Sequence, residues 1–328
     1  MKILVTGSSG HLGEALVRTL RHDGREVVGL DVKASPFTDI EASVVDRGAV
    51  RRAMAGVGGV IHAATLHKPH VATHSRQAFV DVNISGTLNL LEEAAEAGVR
   101  SFVFTSTTSV FGLAMATPPG AAAAWIDEAV VPVPKNIYGV TKAAAEDLCQ
   151  LIQRRTGLPV AVLRTSRFFP EADDDERLRG GYEDDNAKAN EFAFRRLDVA
   201  DAVCAHLAAL EKAPALGFGR YVVSATTPFV RADAAELGRD APAVLGRRVP
   251  AYEAVYARRG WRMFPALDRV YDNARARAEL GWTPRYDFAH VLERLAAGEP
   301  PLSPLARAIG AKGYHDQVFE DGPYPVEC

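Results

Sequence analysis

Cysteine is scarce: Cys149, Cys204 and Cys328 are the only three in a chain of 328 residues. Their wide separation and odd number exclude a disulfide framework and offer no metal-ligand spacing, so free or buried thiols in a reducing compartment are expected. An excess of charge of one sign is also lacking. With 38 Lys and Arg against 41 Asp and Glu, the formal net charge is -3. No overall positive field exists to hold a polyanion, and no nucleic-acid partner is expected. No apolar run approaches the roughly 20 residues of a membrane-spanning helix, and no membrane partner is expected. The chain opens Met1-Lys2-Ile3-Leu4-Val5-Thr6-Gly7, an apolar strand pattern in place of a signal peptide, which fits a soluble cytoplasmic protein. Repeats are missing, and the one low-complexity tract is the alanine run at 121–124.

What is present is an ordinary globular composition, 48% hydrophobic and 24% charged, which excludes disordered and fibrous classes. At about 150 residues per domain the length predicts two domains, or one large α/β unit with an appended piece. Short β-rich apolar runs at 2–6, 26–31, 43–46, 57–63, 101–106 and 159–164 alternate with longer amphipathic stretches. That alternation predicts parallel strands joined by crossover helices, a doubly wound α/β sheet. Gly24, Gly98 and Gly157 stand where left-handed caps would close helices, the last two after helices over 83–97 and 138–156. After Arg164 an acidic, irregular stretch reaches Asp185, followed by an expected helix near 198–212 and a strand at 219–224. From Thr226 onward the chain is richer in Arg, Pro and aromatics, without βα alternation. The expected division is 1–165 with 191–225 for the sheet domain, and 166–190 with 226–328 for a smaller lobe.

The first expected strand ends in Thr6-Gly7-Ser8-Ser9-Gly10-His11-Leu12-Gly13, and a helical pattern (Leu12, Leu16, Val17, Leu20) begins at once. Glycines between a strand and a helix permit a tight turn and let backbone N–H groups approach a pyrophosphate. The helix N-terminus adds roughly half a positive charge facing it. The second expected strand ends in Asp31, 18 residues beyond Gly13. A carboxylate there accepts from adenosine ribose hydroxyls and repels a 2′-phosphate, so NAD is expected over NADP. Lys33 is a nearby cation able to tolerate that phosphate. Asp46, at the next expected strand end, is a candidate for the adenine amino group.

A second informative segment is Tyr138-Gly139-Val140-Thr141-Lys142. Residues four apart on a helix share a face, so phenol and ammonium can converge. A tyrosine that accepts protons near neutrality needs its pKa lowered from about 10 to about 7, roughly 4 kcal/mol of preferential phenolate stabilisation. A lysine cation and a bound nicotinamide cation would supply it. The strand before this helix ends in hydroxyls at Thr105, Ser106, Thr107, Thr108 and Ser109. They fall at the carboxyl end of the sheet, where ligands of such folds bind.

Taken together, these residues resemble the extended short-chain dehydrogenase/reductase family, in its NAD-dependent epimerase/dehydratase branch, over nearly the whole chain. The landmarks are Gly7-x-x-Gly10-x-x-Gly13, Asp31, Asp46, His62-Ala63-Ala64, Asn83, Ser106-Thr107 with Val110-Phe111-Gly112, and Tyr138 with Lys142. Asp198-Val199-Ala200 and Leu280-Gly281-Trp282-x-Pro284 follow later in the chain. The resemblance implies a Rossmann-type fold with NAD as cofactor, held by Gly7, Gly10, His11, Leu12, Gly13, Asp31, Asp46, His62, Ala63, Ala64, Asn83, Thr105, Tyr138 and Lys142. It further implies that Thr107 holds the substrate hydroxyl, that Tyr138 is the acid/base, and that Lys142 binds the nicotinamide ribose and depresses the tyrosine pKa. Ser106, Thr107, His67 and Arg167 are the expected substrate contacts. A homodimer pairing through helices 83–97 and 138–156 is implied as well.

Departures from the family pattern refine the reading. Family dehydratases carry an Asp-Glu pair after the threonine, because eliminating water needs a separate acid and base. Here Thr108 and Ser109 stand there, which disfavours a 4,6-dehydratase. Nucleotide-sugar epimerases typically read Leu-Arg-x-x-Asn after the tyrosine helix, whereas Leu163-Arg164-Thr165-Ser166-Arg167 ends in arginine. Arg167 either grips a phosphate bidentately, serves a different acid, or pairs with the acidic stretch beyond it. His70 and His74 have a metal-pair spacing but no further ligand nearby, and the run Asp173-Asp174-Asp175-Glu176 lacks a calcium-loop pattern, so no metal is expected. The leading expectation is 4-epimerisation of a nucleotide sugar. The alternatives are an NAD-dependent dehydrogenase of a free sugar, sugar acid or other small alcohol, and a non-catalytic dinucleotide sensor.

Overall fold

The computed structural model describes residues 1–313 and Phe319; Cys328 lies outside the described residues. The first half runs β1 (Lys2–Thr6), α1 (His11–His22), β2 (Val27–Asp31), β3 (Ile40–Glu41), α2 (Arg47–Ala53), β4 (Val57–His62), α3 (Arg76–Phe79), α4 (Gly86–Glu96), β5 (Ser101–Thr107), β6 (Ala124–Ile126), α5 (Ile137–Thr156) and β7 (Val160–Thr165). The second half runs α6 (Glu176–Gly181), α7 (Asp184–Phe192), α8 (Val199–Leu216), β8 (Phe218–Val223), α9 (Ala234–Leu237), α10 (Ala241–Arg248), α11 (Ala251–Arg259), β9 (Arg269–Tyr271), α12 (Ala274–Leu280), α13 (Phe288–Ala296) and α14 (Pro304–Ile309). Seven strands form one parallel sheet in the order β3-β2-β1-β4-β5-β7-β8. The strand order reverses between β1 and β4, the place where doubly wound sheets open a ligand crevice.

Side-chain alternation sends Ile3 and Val5 to one face of the sheet and Leu4 to the other, and both faces are covered. Under α1 and α8 lie Leu16, Ile61, Val103, Leu163 and Ala205. Under α2, α4 and α5 lie Val50, Leu90, Phe102, Phe104, Ala145 and Val162. The α1/α8 core continues without a break into the later helices through Phe192, Leu245, Tyr256, Trp282 and Phe288. Polar ties reinforce that seam. The Asp201 carboxylate accepts from Arg285 N at 2.8 Å and Tyr286 N at 2.7 Å, Trp282 Nε1 donates to Asp201 O at 3.1 Å, and Asp198 accepts from Ser303 N at 2.9 Å. The two late sequence landmarks therefore meet in space.

Four features differ from the sequence expectation. The strand expected at 43–46 is instead the two-residue edge strand Ile40–Glu41. Asp46 starts a helix: its side chain accepts from Ala49 N at 3.0 Å and caps α2, a role for which aspartate is favoured. The helix expected from Asn83 begins at Arg76 and passes through a π-helical segment, Val80–Ser85, before α4. The short strands β6 and β9 form a separate parallel pair beyond the main sheet. The acidic stretch is partly helical, because Asp175 caps α6 and Asp184 and Asp185 occupy the first turn of α7, where carboxylates favour a helix N-terminus.

Candidate active site

A cleft of about 1110 Å³ opens at the carboxyl ends of the strands. Its cofactor side is shaped by backbone. Gly7 adopts φ 72°, and a Cβ there would stand 2.6 Å from Ala64 N. A Cβ on Gly13 would stand 1.9 Å from Gly7 O. Only glycine permits this packing of β1, α1 and the turn after β4, and it leaves a surface that backbone N–H groups can present to a pyrophosphate. Gly7, Gly10, His11, Leu12, Gly13, Ala63 and Ala64 all line the cleft. Asp31, also in the lining, accepts from Ser9 N at 3.0 Å and Lys33 N at 2.9 Å, which fixes the carboxylate at the end of β2.

The chemical centre is carried by β5 and α5. Asn136 caps α5, its side chain accepting from Gly139 N at 3.0 Å, and this places Tyr138 in the first helical turn facing the cleft. The Thr107 hydroxyl stands close enough to the Tyr138 phenol to lower its pKa, and Thr107 Oγ1 accepts from Ser109 N at 3.1 Å. Lys142 Nζ donates to Thr105 O at 2.7 Å and lies 4.0 Å from the centre of the Phe104 ring. Burial raises the Tyr138 phenol to about 12, against the lowering effect of the neighbouring Thr107 hydroxyl. Burial lowers the Lys142 ammonium to about 7. Both shifts favour the neutral forms, so desolvation, not lysine charge, sets the resting protonation here.

The other expected residues divide by place. Thr105 lines the cleft, yet its hydroxyl is held by His206 Nε2 at 2.9 Å. Ser106 also lines the cleft, and its hydroxyl donates to Glu146 Oε1 at 2.6 Å. His62 is not in the lining: buried between Thr6 Oγ1 at 2.7 Å and Thr87 Oγ1 at 2.9 Å, it joins β1, β4 and α4, and burial keeps it neutral. Asn83 holds the turn after β4, accepting from Leu66 N at 2.9 Å and donating to Leu66 O at 2.9 Å and Thr141 Oγ1 at 3.0 Å. Asp46 is occupied as a helix cap. None of these three belongs to the cleft lining.

The substrate side is built from charged side chains. Arg167 pairs with Asp173, with Asp174 at 2.7 Å and with Glu191 at 3.5 Å. Arg195 pairs with Glu191 at 2.7 Å and Asp173 at 3.2 Å, and Lys68 pairs with Asp174. Burial works against ionisation of Asp174 and Glu191, yet these cations hold both carboxyls well below the usual carboxylate range. His67 lies on this wall between the rings of Phe169 (5.5 Å) and His70 (4.7 Å), and His74 continues the row 4.9 Å from His70. Among the described residues no three His, Cys, Asp or Glu side chains converge as metal ligands. Glu146, Asp174, Glu191 and Phe169 were not singled out in the sequence as site residues. Glu146 alone carried a readable signal, standing one turn past Lys142 on the same helix face.

Glycine backbone able to meet a pyrophosphate in a cleft at the carboxyl ends of a doubly wound parallel sheet is the arrangement of a Rossmann-type dinucleotide-binding fold, and the molecule has that fold. Residues 3–184, more than half of the chain, match the model of the NAD dependent epimerase/dehydratase family, and the chain belongs to that family. UDP-glucose 4-epimerase of Rhizobium meliloti is 27% identical over 331 residues, covering 89% of this chain and 94% of that protein. L-arabinose 1-dehydrogenase (NAD(P)(+)) of Haloferax volcanii is 35% identical over 176 residues, covering 50% of this chain and 65% of that protein. Of several other curated relatives the chain spans less than half the length, at 38%, 39% and 47%. Among solved structures, a short-chain dehydrogenase/reductase superfamily protein from Agrobacterium tumefaciens with bound NAD shares the fold, with a TM-score of 0.65 at 23% identity over 94% of this chain and 97% of that one. NAD is the cofactor of this family, and the glycine cradle at Gly7 and Gly13 fits its pyrophosphate.

Proposed function

We propose that this protein oxidises and re-reduces a secondary hydroxyl of a sugar, with 4-epimerisation of a nucleotide sugar as the leading form of that reaction. The observation that carries the proposal is the meeting of Thr107, Tyr138 and Lys142 at the carboxyl end of β5, beside the glycine cradle. Bound in the cradle, NAD supplies a reversible hydride acceptor. Thr107 orients the substrate hydroxyl, and Tyr138 takes its proton and returns it. Lys142, charged when it meets the ribose hydroxyls, lowers the cost of the phenolate. Thr108 and Ser109, both on the cleft wall, offer hydroxyls where an elimination needs carboxyl groups, which argues against a 4,6-dehydratase.

A second reading, net oxidation of a smaller sugar or sugar acid, is favoured by the substrate side. Arg167 and Arg195 already face three carboxylates. Among the described residues, 176–190 and 226–267 of the lobe contribute nothing to the cleft wall. A panel of UDP-, GDP- and dTDP-sugars, free sugars and free uronic acids, followed by NADH absorbance and by NMR of sugar stereochemistry, separates the two. Inversion at C4 without net NADH supports the epimerase; steady NADH from a free sugar acid overturns it. We also propose a homodimer, in which exposed Val140 and Leu151 on α5 are covered by a second copy. Sedimentation of the wild type against a Val140→Asp/Leu151→Asp variant tests it, a monomeric wild type refuting it. No helix among the described residues is long and apolar enough to cross a membrane.

A further inference from the structure

Three consecutive residues of β5 are tied to three residues of α5 spaced one turn apart. Thr107 meets Tyr138, the carbonyl of Thr105 accepts from Lys142, and between them Ser106 donates to Glu146 Oε1 at 2.6 Å. Spacing by four keeps Tyr138, Lys142 and Glu146 on one helix face. In the third tie Ser106 belongs to the cleft lining, while Glu146, like Lys142, stands behind it. Glu146 and Ser106 are each 2% exposed, and the carboxylate is gripped from the neighbouring strands as well. Arg164 Nη2 on β7 donates to it at 2.8 Å and Arg164 Nε at 3.1 Å, while Arg220 Nε on β8 lies 3.2 Å away. Register explains the convergence: Ser106 and Arg164 are direct partners across β5 and β7, so their side chains leave the same face side by side. Arg164 also lies 5.0 Å from the centre of the Phe111 ring, just past the hydroxyl cluster.

We infer that Glu146 is a positioning residue, which grips Ser106 and thereby sets the register of β5 against α5 so that Thr107 and Tyr138 meet. The inference rests on the hydride-transfer reading of this site. A buried, charge-assisted hydrogen bond is short and directional, and β5 and α5 meet along a seam that hydrophobic contacts alone would let slide. Without the tie, only the Lys142–Thr105 hydrogen bond and packing place Thr107 against Tyr138, and a displacement of about 1 Å at a reacting pair costs on the order of 100-fold in rate. Glu146 also puts one negative charge a helical turn from Lys142 and so favours its charged form, against the desolvation that dominates there.

The test uses Ser106→Ala, Glu146→Gln and the double variant. Ser106→Ala removes the tie and leaves the Glu146–Arg164 pair whole, so it stays informative should Glu146→Gln strand Arg164 and fail to fold. The expected result is a kcat for Ser106→Ala lower by about 10- to 100-fold, with KM for NAD within about 2-fold and little change in Tm. Where Glu146→Gln folds, its rate loss and that of Ser106→Ala should be far from additive, as for two ends of one contact. A tyrosine ¹³Cζ NMR titration, with Tyr138 assigned from Tyr138→Phe, reads the site without turnover. Its Tyr138 resonance should move in Ser106→Ala. An unmoved resonance together with an unchanged kcat overturns the inference. If the wild type turns over no substrate, the hydride-transfer reading fails, and the Tyr138 resonance alone then decides the positioning role: moved supports it, unmoved refutes it.

Discussion

The two ends of the cleft are made of different materials. At the cofactor end the wall is main chain, shaped by Gly7 and Gly13, with one fixed carboxylate at Asp31. At the substrate end it is long side chains, Lys68, Arg167 and Arg195, held among Asp173, Asp174 and Glu191. Backbone can hold only one shape, and it recognises a group common to every dinucleotide. A charged network can be retuned by one substitution, and its net charge selects among substrates. The first end therefore defines a class, while the second defines a member of it.

If that division is right, the chemical centre between the two ends should be sensitive in rate and indifferent in binding. Tyr138→Phe is expected to lower kcat by about 10³- to 10⁴-fold while leaving NAD affinity, measured by calorimetry, within about 2-fold. A variant that loses NAD affinity to the same degree would mean that Tyr138 belongs to the cofactor end.

Next in size is a stability effect at the same centre. Lys142 titrates at about 7 in the fold against 10.5 for an ordinary lysine. Between those values the unfolded chain binds the extra proton, so stability rises with pH across that window, and below about pH 7 the full cost of burying the cation opposes folding. The gap corresponds to at most about 5 kcal/mol, part of it offset by the Thr105 carbonyl and the Phe104 ring. Lys142→Met should abolish activity and raise Tm by several degrees near pH 6, the gain vanishing toward about pH 10. A Tm that falls at pH 6 would show that those two contacts outweigh desolvation.

The cofactor end can be challenged with one methyl group. Gly7→Ala places a Cβ against Ala64 N at a φ that alanine rarely adopts. NAD affinity should fall by about 100-fold, with KM for substrate at saturating NAD unchanged. Loss confined to KM for substrate would erase the distinction between the ends.

These materials also explain what the sequence made legible. Gly7-x-x-Gly10-x-x-Gly13 is readable because close backbone approach excludes every other residue type, and the Tyr138–Lys142 spacing is readable because helix geometry is local. Long-range register is not local: Ser106, Arg164 and Glu146 come together only when β5, β7 and α5 are assembled. The same limit hid the pairing of Arg167 with Asp173 and Asp174, for which ion pairing was only one of several readings of Arg167. Asp46 and Asn83 carry a further lesson, since residues that read as ligand contacts are also engaged as a helix cap and a loop brace. Capping and bracing use the same hydrogen-bonding groups as binding, so residue type does not separate them.

The smallest expected effect tests the substrate end most directly. Asp174 faces both Lys68 and Arg167, and Asp174→Asn removes one negative charge from the wall while keeping a side chain of the same size. In a solvent-filled cleft, with a dielectric near that of water, Coulomb repulsion between two unit charges about 4 Å apart is worth about 1 kcal/mol, or about 5-fold in binding. For a substrate carrying a diphosphate or a carboxylate, KM should fall by roughly that factor, and more for the diphosphate because it carries the larger charge. For a neutral sugar KM should stay level, and NAD affinity should not change in either case. An equal gain for charged and neutral substrates would place Asp174 in the loop's packing instead of its recognition, and would leave the cleft with a single working end.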